Sequence, residues 1–105
     1  MAMGPSKPER AADPYRVMLV DDSAVIRGLF ARALESDPEI EIVASVSDGL
    51  MAVNTLEKNL GKIEVVVLDI EMPRMDGLTA LPKLIEADRE IAVVMASTLT
   101  ERNAD

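Results

Sequence analysis

"VVVLDIEMPRMDG", residues 65–77, decides the fold. Three valines and a leucine run without a polar interruption and stop on Asp69. A stretch that is apolar on both faces is what a central strand of a parallel sheet requires, because helices cover both sides of such a sheet. A carboxylate at the end of that strand must either reach solvent or meet a cation. The loop that follows is shaped by Pro73, which fixes φ, and by Gly77, which permits a turn that a Cβ would forbid.

The same texture recurs on either side. "RVMLV" (16–20) is a short apolar strand ending on Asp21 and Asp22. Val25, Ile26, Leu29, Phe30, Ala33 and Leu34 then return at helical spacing, with Asp22 or Ser23 as N-cap and Pro38 past the end. "EIEIVASV" (39–46) suits a strand. Asp48-Gly49 opens a helix whose Val53, Leu56 and Leu60 share a face and whose stop is Gly61. The strand over 63–69 precedes a helix over 78–88, in which Pro82 is tolerated only if the first turn begins near Thr79. "IAVVMAS" (91–97) reads as another buried strand, and "TLTERNAD" begins a further helix. The alternation β-α-β-α-β-α-β predicts an α/β fold: a doubly wound parallel sheet with helices on both faces. Binding crevices in such sheets lie at the carboxyl ends of the strands. Asp21, Asp22 and Asp69 therefore converge on one edge.

Composition removes several function classes. One domain is the most that 105 residues allow. Phe30 and Tyr15 are the sole aromatic residues, so the core must be aliphatic. A formal charge of −8 opposes binding to nucleic acid or to anionic membranes. With no Cys and no His, disulfides, the common zinc sites, Ser-His-Asp triads and Cys-His pairs are excluded within the chain. Residues 1–14, rich in Pro, Ala and charge, read as a disordered leader with no apolar signal stretch, and no run is of membrane-spanning length. A soluble cytoplasmic protein is the expectation.

Like charges held together cost several kcal/mol unless a cation neutralises them. A hard divalent ion suits a set of carboxylates, a backbone carbonyl and waters, and Mg²⁺ is the intracellular candidate. A carboxylate beside such an ion is also a competent nucleophile toward phosphorus, giving an acyl phosphate. Ser97 or Thr98, at the neighbouring strand end, would donate to the phosphate oxygens.

Taken together, "VMLVDDSAVIR", "VVVLDIEMPRMDG" and "VVMASTLTERNAD" resemble the receiver domain of two-component response regulators. More narrowly, they are similar to the N-terminal receiver of the CheB-type chemotaxis protein-glutamate methylesterases. The resemblance spans residues 16–105. It implies a flavodoxin-like sheet of order 2-1-3-4, with the family's fifth strand and last helix missing. It also implies Asp69 as phosphoacceptor, and Asp21, Asp22, Asp69 and the Glu71 backbone carbonyl as Mg²⁺ ligands. Ser97 becomes the hydroxyl that senses the phosphate. The implied partners are a histidine kinase, a chemotaxis kinase in the narrower reading, and an effector domain in cis or on a partner protein. The family continues through a fifth strand bearing a Lys, and into a methylesterase domain in the narrower group. The chain stops before both, so residues 15–105 read as a truncated receiver and not as an enzyme.

Blander readings stand beside these. An isolated Asp-Asp pair is usually an N-cap with a solvated charge, and an acid at a strand end is usually a turn residue. Ser97 can be a helix-approach hydroxyl, with Thr98 or Thr100 as the relevant group. Met51, Met72, Met75 and Met95 read as packing residues. Glu71 reads mostly as a solvated side chain, whose position beside the acceptor suggests an influence on water approach to the phosphate, and Arg74 is either a surface charge or a contact for a partner's acidic group. The alternatives to a switchable receiver of an esterase are a stand-alone or transcription-factor receiver, a phosphate-independent interaction domain, and a small phosphatase with Glu71 as general acid. An uncovered strand 4 would pair edge to edge, so a dimer through Ile91 to Ser97 is a further expectation.

Overall fold

A computed structural model of the chain describes residues 13–70 and 77–96. The elements follow the expected order: β1 (Tyr15–Val20), α1 (Ala24–Glu35), β2 (Ile40–Val46), α2 (Gly49–Lys58), β3 (Val65–Asp69), α3 (Gly77–Ala87) and β4 (Ala92–Ala96). The strands form one parallel sheet of order β2-β1-β3-β4. Most of the leader, residues 71–76, and the residues from Ser97 onward, where a further helix was expected, lie outside the described residues.

The alternation of the strands divides the core. Met18, Val20, Val46, Val66 and Leu68 form one cluster with Ala52, Val53 and Leu56 of α2 and Ala80 and Leu84 of α3. Val17 and Leu19, one position out of phase, are equally buried on the opposite face. There α1 lies over β1 and β2, and its Phe30 lines a small cavity with Leu19 and Val67. Across that face Leu19 pairs with Val67 and Val67 with Val94, but Val94 is 52% exposed. Strand β4 is therefore not the buried strand expected from its composition; among the described residues it is an outer strand, covered on the α2–α3 face only.

The helix ends show what local chemistry decided. Ser23, not Asp22, caps α1: its hydroxyl accepts from the Ile26 N–H at 3.2 Å. No residue of α1 is fully buried, and Val25 and Leu29 are largely exposed although they fall on the apolar stripe. Asp48 caps α2 by accepting from the Met51 N–H at 2.9 Å. That helix ends at Lys58, before Leu60, which is 55% exposed. The stop is Asn59, whose side chain donates to the Thr55 carbonyl at 2.7 Å while its N–H donates to that of Leu56. Gly61, at φ 81°, takes the left-handed position of the turn beyond the helix. Helix α3 starts at Gly77, two residues earlier than Pro82 was expected to require, and runs through Pro82 in its second turn. Met51 is exposed, with its sulfur accepting from the Ser47 hydroxyl at 3.3 Å, so it is no core residue. Met95 does pack against the core cluster.

Candidate metal centre at the strand ends

The sheet register places the three acids. Val20 pairs with Leu68, so the next residues, Asp21 and Asp69, leave the sheet side by side. The backbone holds them there. The Asp21 N–H donates to the Val46 carbonyl at 3.1 Å, extending the β1–β2 ladder by one residue. Beyond Asp69, the Ile70 N–H donates to the Ala96 carbonyl at 3.0 Å, and the Gly77 N–H donates to the Ile70 carbonyl at 2.8 Å. Both Asp21 and Asp69 are only 3% exposed, while Asp22 faces solvent.

One carboxylate oxygen from each of Asp21, Asp22 and Asp69 lies within 4.8 Å of the others. Unit charges this close repel by about 1 kcal/mol even at the dielectric of water, and by several at the lower values that apply beside a protein. The effect is visible at Asp21. Burial pushes its carboxyl above the ordinary value of 3.8, and Asp22 pushes it further the same way, whereas the Ser23 N–H and the Arg27 guanidinium act in the opposite direction. The Ser23 N–H donates to Asp21 Oδ1 at 2.9 Å, and Arg27 Nη1 donates to the Asp21 carbonyl at 2.6 Å.

The donor set fits a hard divalent cation. Oxygens sharing an octahedral Mg²⁺ stand about 3–4 Å apart, given metal–oxygen distances near 2.0–2.1 Å, and a small closure from 4.8 Å reaches that spacing. One exposed carboxylate stands beside two buried ones, so among the described residues the site is reached by solvent at Asp22. Of the expected site residues, Asp21, Asp22 and Asp69 are brought together, while Glu71 and Ser97 lie outside the described residues, as do Arg74, Thr98 and Thr100. Arg27 was not singled out in the sequence. Its signal was faint: a basic residue in the first turn of a helix that follows an acidic strand end, where the macrodipole disfavours a cation.

Comparison with known proteins gives the family. The family model for the response regulator receiver domain matches residues 17–104, and the chain belongs to that family. Within it, the chain is 63% identical over 100 residues to a protein-glutamate methylesterase/protein-glutamine glutaminase of Rhodospirillum centenum, covering 95% of this chain and 25% of that protein. The chain thus spans about a quarter of the length of this curated relative. Two solved structures share the fold. A chain of the CheX–CheY–BeF3–Mg complex from Borrelia burgdorferi has a TM-score of 0.79 and 32% identity, covering 94% of this chain and 76% of that one. The response regulator domain of Thermotoga maritima CheB has a TM-score of 0.74 and 36% identity, covering 83% and 63%. This is a receiver, and its similarity is to the receivers of chemotaxis methylesterases.

Proposed function

We propose that this domain is a phosphorylation-controlled switch that takes a phosphoryl group from a histidine kinase onto Asp69 and thereby regulates a methylesterase domain elsewhere in the same protein. The observation that carries the reading is the meeting of Asp21, Asp22 and Asp69 within 4.8 Å at the end of the two central strands. In the transfer, an Asp69 carboxylate oxygen forms a bond to phosphorus while the phosphorus–nitrogen bond of the donor phosphohistidine breaks, and the departing imidazole takes up a proton. Asp21, Asp22, Asp69 and the Glu71 carbonyl would hold Mg²⁺, which neutralises charge on the incoming phosphoryl group. Asp21, fixed by Ser23 and Arg27, orients the site from below. Asp22, exposed, would hold the cation with its carboxylate. Ser97 would contact the phosphoryl oxygens and couple their presence to the surface of the domain.

The test uses acetyl phosphate with Mg²⁺ and peptide mass spectrometry. Phosphate on the Asp69 peptide, lost in Asp69→Asn and on chelation, is the expected result. Modification of a different carboxylate, or none in the presence of Mg²⁺, overturns the reading.

We further propose that the 105-residue chain pairs with a second copy along β4. Exposure of Val94 and the lack of any charged residue from Ile91 to Ala96 support this. Light scattering across a concentration series should report dimers that Val93→Lys returns to monomers; a monomer at all concentrations removes the proposal.

A further inference from the structure

We propose that Arg27 is a positioning residue for the cation site, tying the Asp21 carbonyl to the first turn of α1 and so holding the Asp21 and Asp22 carboxylates in their converging pose. The segment from Asp21 to Arg27 closes on itself. The Asp21 carboxylate accepts from the Ser23 N–H, and the Ser23 hydroxyl accepts from the Ile26 N–H. The Ser23 carbonyl accepts from the Arg27 N–H at 3.0 Å, and the Arg27 guanidinium reaches back to the Asp21 carbonyl at 2.6 Å. That last bond completes the ring.

Its placement gives it a second effect. Among the described residues, Arg27 is the one basic residue lining the small cavity it shares with Asp21 and Asp69, beside Phe30, Val67 and Ala96. A guanidinium stays charged at any pH the fold survives. It therefore sets a fixed positive charge beside the buried pair, Asp21 and Asp69, while Asp22 is the exposed acid of the three. As a tether it favours metal binding and as a charge it opposes it. The short, partly buried bond to the Asp21 carbonyl makes the tether the dominant effect.

The inference rests on the acidic cluster being a cation centre, and the experiment separates the two claims. Mg²⁺ is titrated into the full chain while the backbone amide resonances of Asp21, Asp22 and Ser23 are followed, at low and at high salt. Arg27→Met should weaken binding about tenfold, the scale seen when a group that orients metal ligands is lost. It should also shift those three amides before any metal is added. Arg27→Lys, which keeps the charge and one shorter donor, should fall between. A role as charge alone predicts the reverse, tighter binding in Arg27→Met that fades at high salt; that outcome, or equal affinity at both salts, overturns the inference. Should Arg27→Met fail to fold, Arg27→Lys decides by itself, since wild-type affinity in that variant is incompatible with a geometric tether. An unmodified chain that binds no Mg²⁺ instead overturns the cation centre on which the inference stands.

Discussion

The Asp69 backbone carbonyl fills the space into which a side chain at Gly77 would project. A Cβ there would run into the Asp69 oxygen and lie 2.8 Å from Ile70 Cα, so α3 can begin against the end of β3 only if residue 77 has no side chain. The constraint is close approach and not a left-handed backbone, since Gly61 is the residue with positive φ among those described. The obstacle is main chain, which no rotamer change relieves. Gly77→Ala should cost about 2–3 kcal/mol in urea unfolding, as overpacking against a rigid neighbour does. It should also displace the Asp69 amide resonance. A loss below 0.5 kcal/mol, to use a rough threshold for neutral surface changes, shows that α3 can slide.

Asp21 is expected to destabilise the metal-free fold at neutral pH. Burial raises its carboxyl above 3.8, so the folded chain holds that proton more firmly than the unfolded chain. The stability this contributes is fully present below the ordinary value and is lost as pH rises through the higher folded value. Asp21→Asn does not titrate. Without divalent ions, the variant should match wild type in acid and exceed it by about 1 kcal/mol at neutral pH, the scale of one close carboxylate repulsion. Unfolding curves at several pH values check this, and parallel pH profiles for the two proteins would contradict it. Metal binding should be lost in the same variant.

Arg16 stabilises the end of the sheet remote from the site through two carbonyls. Its Nε donates to Lys62 O at 2.8 Å and its Nη2 to Gly61 O at 3.4 Å, clasping the turn that feeds β3. Its ion pair with Asp13, at 3.6 Å and mostly exposed, adds little. Arg16→Ala should therefore lose about 1 kcal/mol, while Asp13→Ala should change stability by less than about 0.5 kcal/mol. Equal losses in thermal or urea unfolding would shift the importance to the ion pair.

Pro82 leaves the Leu78 carbonyl without its helical donor in the second turn of α3. Pro82→Ala should restore that bond and raise stability by about 1 kcal/mol, less than the full interior-proline cost because Leu78 is exposed. A decrease would show that the ring packs usefully against Thr79 and Glu86, which border the same groove.

The site's acids were legible because each strand announces itself by unbroken apolar residues and then stops on a charge. Periodicity could find the apolar face of α1, but not what lies against it. Val25 and Leu29 belong to the stripe and still meet solvent. The end of α2 was misplaced because Leu60 continued the spacing, while the decisive event was the Asn59 side chain taking the Thr55 carbonyl. For β4, composition records how apolar a strand is and not whether a neighbour covers it. Arg27 escaped notice because it acts on a backbone carbonyl, and no residue type in the sequence marks that acceptor.

The two buried acids of the site lie about fifty residues apart in the chain, so they have no shared surroundings until β1 and β3 are paired through the crossover that contains β2. The unfolded chain thus has no preformed ligand for a cation, and the cation cannot guide early collapse. A cation bound at these acids would act afterwards, holding closed a long loop that the chain itself had to close. Any ion bound there raises the apparent folding stability by mass action, roughly 2.7 kcal/mol at a hundred times its Kd. It should do so mainly by slowing unfolding, because parallel pairing of distant strands is a late and slow event.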